Sequence, residues 1–198
     1  AMASPTQITV APVSGFRQLS LFIKLPRRLY DGLPGYVPPL DIEERDLLSP
    51  KRAHFFDHGF ACYFLAWRNG EPIGRISAQI DALVLKQDGP RTGFFGALDT
   101  AEPACVAPLL DAAHAWLKAR QIERIRGPWT LNSNGQSGIM VEGQNEMPMI
   151  GTPWHPPTLG PAVEAAGYGR AMDLPSYSME TGPSSEQANQ LPGNLRGG

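Results

Sequence analysis

Apolar residues recur along this chain with two different periods. In residues 104–121 the positions Val106, Leu109, Leu110, Ala113, Trp116 and Leu117 are spaced as one buried helix face, with Asp111, His114 and Lys118 opposite. The runs on either side, 93–98 and 123–129, read as strands, separated from the helix on one side by the break Asp99-Thr100-Ala101-Glu102-Pro103. A strand, a helix of a dozen or more residues and a second strand make a parallel crossover, so residues 92–129 predict the architectural centre of the chain.

Period-two patterning dominates just upstream. Residues 60–67 are aromatic and β-prone, residues 72–80 alternate, and Asn69-Gly70 between them predicts a hairpin turn. Before the hairpin, residues 8–10 predict a short strand ended by Pro12. Ser14 then caps a helix with apolar positions Phe16, Leu19, Phe22 and Ile23, which Pro26 is expected to stop or kink. Residues 33–40 hold three prolines and read as extended, and Asp41 opens a short helix to Leu48. After the crossover, residues 158–166 predict a last short helix stopped by Gly167, and residues 176–179 a last β-prone piece. Residues 1–7 read as an N-terminal remnant, 8–180 as the domain, and 181–198, which are rich in Gly, Pro, Ser, Asn and Gln, as a disordered low-complexity tail.

Composition narrows the classes. With 198 residues and 42% hydrophobic content the chain can build one good-sized core. Seventeen basic against 19 acidic side chains leave a net charge of −2, which argues against nucleic acid or a membrane surface as the main partner. No apolar run is long enough to span a bilayer and the first residues lack a secretory layout, so the expected location is cytoplasmic. Cys62 and Cys105 stand far apart, and neither a disulfide framework nor a zinc site is expected.

The candidate chemistry gathers after residue 129. Residues 130–138 form a polar loop at the carboxyl end of a predicted parallel strand, where open α/β sheets place ligands, so Asn132, Ser133 and Asn134 are candidate substrate-binding residues. A plain Asn/Gly/Ser turn is the alternative. His155 precedes the last helix and is a candidate catalytic residue beside that loop; its alternative is a histidine bonded to a carbonyl. Glu142 follows Ile139-Met140-Val141 and is a candidate general base if it points into the same cleft. His54 and His58 sit four apart without a third ligand nearby, and His114 lies on a polar helix face; neither pattern builds a site. No Gly-x-Ser-x-Gly elbow, dinucleotide fingerprint or phosphate-loop lysine occurs.

The order of elements resembles the GNAT acyltransferase superfamily. Asn69-Gly70-Glu71-Pro72-Ile73-Gly74-Arg75-Ile76 is similar to its central hairpin, and Val163-Glu164-Ala165-Ala166-Gly167-Tyr168 to the end of its last helix. Residues 22–40 with Gly93-Phe94-Phe95-Gly96 and Gly127-Pro128 also resemble larger bacterial GNAT-like proteins. The resemblance implies an α/β (α+β) fold with a mixed, mainly antiparallel sheet flanked by helices and one parallel strand pair joined by a long helix. It implies acyl-CoA as co-substrate and no metal, its pantetheine arm in a gap between 94–98 and 125–129, with Phe95, Gly96, Ala97 and Leu98 as cofactor-binding residues. The partners it implies are a small-molecule acyl donor and an amine acceptor, with a second GNAT-like lobe or a homodimer.

Two departures matter. The loop Asp99-Thr100-Ala101-Glu102-Pro103-Ala104 lacks the family's glycines and basic residue, and its two carboxylates are expected to repel a pyrophosphate by about 4 kcal/mol per close pair. In this reading Asp99 or Thr100 is an ordinary helix N-cap. Val163 stands where many members carry an acid-providing tyrosine, while Tyr168 is displaced and reads as core. The sequence therefore leaves two functions open: a GNAT-type N-acyltransferase with an unknown amine acceptor, or a non-catalytic GNAT-like structural or substrate-binding lobe that has lost acyl-CoA binding.

Overall fold

A computed structural model describes residues 7–87, 89–131, 136–146 and 152–175. Its centre is the predicted hairpin, strands β2 (Gly59–Arg68) and β3 (Glu71–Asp81). They meet at Arg68↔Glu71 with Asn69 at φ 52° and Gly70 at φ 79°, so both turn residues are left-handed, as the tightest hairpin turn demands. Strand β1 (Thr9–Pro12) pairs antiparallel with β2, and β4 (Thr92–Thr100) pairs antiparallel with β3. Strand β5 (Arg124–Arg126) runs parallel to β4, giving a sheet in the order β1-β2-β3-β4-β5. The mixed, mainly antiparallel sheet expected from the sequence is the one observed.

Helices cover both faces. The crossover helix α3 (Val106–Lys118) and the short α4 (Leu159–Ala165) pack on one face, where Val106, Leu109, Leu110, Ala113 and Leu117 meet Phe64, Ile76, Ala78 and Ile80. Helices α1 (Gly15–Tyr30) and α2 (Asp41–Leu48) cover the other, where Phe22, Ile23, Leu25 and Leu48 meet Tyr63 and Leu65. Alternating residues of β2 thus serve opposite cores, which fixes its register: a slip of one would exchange the two sets.

Three sequence expectations change. Of the two outcomes expected at Pro26, the stop is not found: α1 runs through it to Tyr30. A proline at 26 withdraws the N–H that would bond to the carbonyl of residue 22, and Arg75 Nη1 donates to the Phe22 oxygen instead, at 2.9 Å. The crossover helix is shorter than 104–121: Pro103–Cys105 is a 3-10 turn, and the chain turns away at Gln121, φ 61°. The last parallel strand is three residues long; after Arg126 the ladder stops, and the chain stays beside β4 through single bonds such as Trp129 N–H to the Phe95 oxygen. Residues 176–179 and the tail 181–198 lie outside the described residues.

Candidate functional site

The parallel pair β4/β5 is where the sequence placed a gap. Midway along β4 the pairing with β3 slips: between Arg75↔Asp99 and Ser77↔Gly96, Ala97 and Leu98 stand opposite Ile76 alone. Ala97 takes φ 45°, so this is a bulge that bends the strand and re-aims its end. The expected gap is closed by the chain itself. Trp129 N–H donates to the Phe95 oxygen at 2.7 Å, Ala97 N–H donates to Thr130 Oγ1 at 3.2 Å, and the Gln79 side-chain amide donates to the Trp129 oxygen. Glycine permits this approach: a Cβ on Gly96 would collide with the backbone of Trp129 and Thr130, and one on Gly127 with the Phe95 carbonyl. Of the four expected cofactor-binding residues, Gly96 and Ala97 therefore face the segment 129–130, Phe95 is fully buried against Tyr168, and Leu98 is buried.

The side of β3 that faces α1 is polar and buried. Arg75, Ser77 and Gln79 follow one another along it, each no more than 3% exposed. Arg75 Nε donates to Asp99 Oδ2 at 2.8 Å, its Nη2 lies 3.8 Å from Glu44 Oε2, and its guanidinium stands over the Phe22 ring at 5.0 Å. Asp99 is thus the partner of a buried guanidinium near the end of β4, where the sequence suggested a helix cap; α3 begins later and without a side-chain cap. Burial pushes the Glu44 carboxyl up from its ordinary value, Arg75 opposing and Asp99 adding to the rise. Glu102 is paired as well, with Arg68 from the end of β2. Asp99 and Glu102 thus each have a cation at their side, which offsets part of the repulsion expected from the sequence, with Arg75 shared between Asp99 and Glu44.

Asp99 also lines a cavity with Ala97, Leu98, Pro128, Thr130, Gln136, Gly138, Pro153 and His155. Its free volume of about 10 Å³ is the size of one water molecule. His155 is buried, and its Nδ1 accepts the Met140 N–H at 3.3 Å, which places the proton of the neutral ring on Nε2. Burial pushes the ring's pKa down; Asp99 opposes this and Arg75 reinforces it. Trp154, next to His155 in the chain, packs with Tyr30 and Tyr36, the three ring centroids 5.1–5.5 Å apart. Tyr30 Oη accepts the Thr100 N–H at 3.0 Å, and its pKa is raised by burial and then by Asp99. The buried Tyr36 hydroxyl has no hydrogen-bond partner among the described residues.

Of the sequence candidates, His155 is brought beside the β4 bulge, whereas Glu142 is exposed on the 139–146 loop. Asn132, Ser133 and Asn134 lie outside the described residues. His54 and His58 separate, His54 toward Asp57 at 3.2 Å and His58 toward Asp81 at 3.0 Å, and His114 is exposed. The sequence reading missed Arg75, Glu44 and Asp99. A signal was present: between its two ends, Glu71 and Asp81, Arg75 is the one charged residue of the strand, where a charge must be paired or face water.

No family model matches the chain. It is 40% identical over 186 residues to a protein of Caulobacter vibrioides (strain NA1000 / CB15N) named bacterial ceramide synthase, covering 92% of this chain and 48% of that one. It is 37% identical over 163 residues to protein YghO of Escherichia coli (strain K12), covering 82% and 42%. The chain spans about half the length of the curated relatives it matches. Among solved structures it superposes on a predicted acetyltransferase of Clostridium acetobutylicum, crystallised with acetyl-CoA, at a TM-score of 0.50 and 15% identity, over 87% of this chain and 96% of that one. The bulged fourth strand, the parallel crossover and this likeness give one conclusion: the chain has the GNAT acyltransferase fold.

Proposed function

We propose that this chain is a GNAT-type lobe of an acyl-CoA-dependent N-acyltransferase whose acceptor is a long-chain amine. The observation that carries the reading is the 40% identity to a protein named for ceramide synthesis, since a ceramide is the amide of a fatty acid with a long-chain amino alcohol. The fold supports it, because the bulge at Ala97 and Leu98 sets left-handed backbone midway along β4, beside an Asp/His-lined cavity. In this reading Phe95, Gly96, Ala97 and Leu98 contact the acyl-CoA arm, Asn132, Ser133 and Asn134 the acceptor, and Glu142 and His155 act at the reacting centre. The other half of the relatives' length corresponds to a second lobe, and the enzyme works in the cytoplasm. Among the described residues no helix is long and apolar enough to cross a membrane.

A second reading has its own observation. The seam between β4 and residues 128–131 is closed by the Trp129–Phe95 backbone hydrogen bond and the Ala97–Thr130 side-chain bond, and the loop before α3 holds paired carboxylates in place of a glycine cradle. A lobe of this kind supports or binds the acceptor while another lobe holds the acyl donor. Calorimetric titration of the chain with acetyl-CoA and palmitoyl-CoA separates the two. Heat of binding at submillimolar ligand is expected if this lobe takes the donor; none with either ligand leaves the supporting lobe. Where binding is found, Asn132→Ala and Glu142→Ala are each expected to slow turnover, and unchanged rates in both would remove these residues from the site.

A further inference from the structure

We propose that His155 serves this site as a neutral hydrogen-bond donor to the thioester oxygen, and that Asp99, across the same cavity, is the group that carries the proton. The inference rests on the reading of the lobe as an N-acyltransferase and assigns the two roles within it.

The hydrogen bonding of the ring is fixed by Met140. A backbone N–H can only donate, so the Met140 N–H at 3.3 Å commits His155 Nδ1 as an acceptor. To act as a base the ring would have to be protonated at Nδ1, which loses that bond. The charged ring would also stand buried, with the Arg75 guanidinium among the charges acting on it. The charges that act on it are Asp99 of β4 and Arg75 of β3, and these two are in turn faced by Glu44 of α2 and Tyr30 of α1. Of these, Asp99 shares the cavity wall with His155, and the Arg75–Asp99 pair at 2.8 Å holds the carboxylate in place. What the ring offers the cavity is therefore Nε2–H. A neutral imidazole that polarises a carbonyl is a recognised catalytic arrangement, and a donor fixed in advance costs no reorganisation during reaction.

The neutral amine nitrogen attacks the thioester carbonyl carbon, forming the C–N bond, while the carbonyl electron pair moves to oxygen, which accepts the His155 Nε2–H bond without proton transfer. Asp99 takes one proton from the nitrogen. The adduct then collapses, the C=O bond re-forms, the C–S bond breaks, and the departing thiolate takes the proton from Asp99. Products are the amide and free CoA thiol.

Two measurements test this on the 198-residue chain. Nitrogen-15 NMR of the ring is expected to show the Nε2–H tautomer, still uncharged in the pH range where an ordinary histidine takes up its proton. A charged ring there, or a proton on Nδ1, overturns the proposal. Thiol release from palmitoyl-CoA with sphinganine is expected to fall about 100-fold in His155→Leu and to stay within about tenfold in His155→Gln, which keeps a donor. His155→Gln should also leave the pH profile of kcat unchanged. Equal rates in wild type and His155→Leu, or a pH limb lost in His155→Gln, overturn the role of the ring while leaving the lobe reading intact. If neither acyl-CoA gives heat on titration, the lobe reading itself falls, and this role with it.

Discussion

Replacing Arg75 with methionine tests the centre of the fold. The guanidinium is 3% exposed and serves three acceptors: Asp99, Glu44 and the Phe22 carbonyl left without a donor by Pro26. Methionine fills a similar volume and leaves two buried carboxylates unpaired, a change worth about 3–5 kcal/mol of destabilisation, because the stranded charges must be desolvated or protonated. The orphaned Phe22 oxygen adds about 1 kcal/mol or more. Urea unfolding at pH 7.5 is the assay, and the loss should shrink near pH 5, where the stranded carboxyls take up protons more readily. The proline contribution is isolated by a double-mutant cycle. Pro26→Ala restores the N–H that bonds to the Phe22 carbonyl, so it should help more in the Arg75→Met background than in wild type, with a coupling of about 1 kcal/mol. A loss below about 1 kcal/mol in Arg75→Met would refute the ionic argument. A coupling of zero would refute the claim that Arg75 substitutes for the missing helix bond.

Gly96→Ala should destabilise by about 1–3 kcal/mol in the same assay, since the added methyl meets Trp129 and Thr130 backbone that cannot rotate away; an unchanged midpoint would mean that the seam yields freely. Tyr63→Phe removes a buried bond from the phenol to the Leu48 oxygen at 2.7 Å and should lose about 1 kcal/mol, and no change in thermal midpoint would count against that contact. The lowered pKa of His155 predicts a pH effect with a definite sign: below about 6.5 the unfolded ring binds a proton that the folded ring refuses, so its contribution to stability is complete above that value and is lost as pH falls. His155→Gln should therefore flatten the fall in stability between pH 7.5 and 5.5, and an unaltered slope would contradict the burial argument. Glu102→Ala frees Arg68 at the start of α3 and should tighten binding of any acyl-CoA detected by calorimetry; weaker binding would show that the pair itself holds the loop for the ligand.

The elements legible in the sequence were those whose local chemistry and burial agree. Asn69-Gly70 accepts left-handed backbone at both turn positions, and the apolar stripe of α3 meets a sheet that needs it, so both could be read from spacing alone. Pro26 could not, because what permits helix there is a donor from residue 75, far away in sequence. Asp99 was misread for the same reason: beside Pro103 it has the local marks of a cap, and only the pairing of β3 with β4 sets it against Arg75. The closure rests on Gly96 lying against Trp129 and Thr130 and Gly127 against Phe95, and single-chain periodicity carries no information about such approaches. His155 was found by its place before the last helix, but the role its hydrogen bonding implies needs Met140 beside it.

The seam between β4 and residues 128–131 also sets a limit on affinity. If an acyl arm is to lie between the strands, the Trp129–Phe95 and Ala97–Thr130 bonds must first part. At about 1 kcal/mol for each, the parted form would make up only a few per cent of molecules, and any ligand that requires it would bind about thirtyfold more weakly than its contacts alone allow. A partner that holds the parted form would return that factor, so the affinity of this lobe for an acyl donor becomes a measure of what it is attached to.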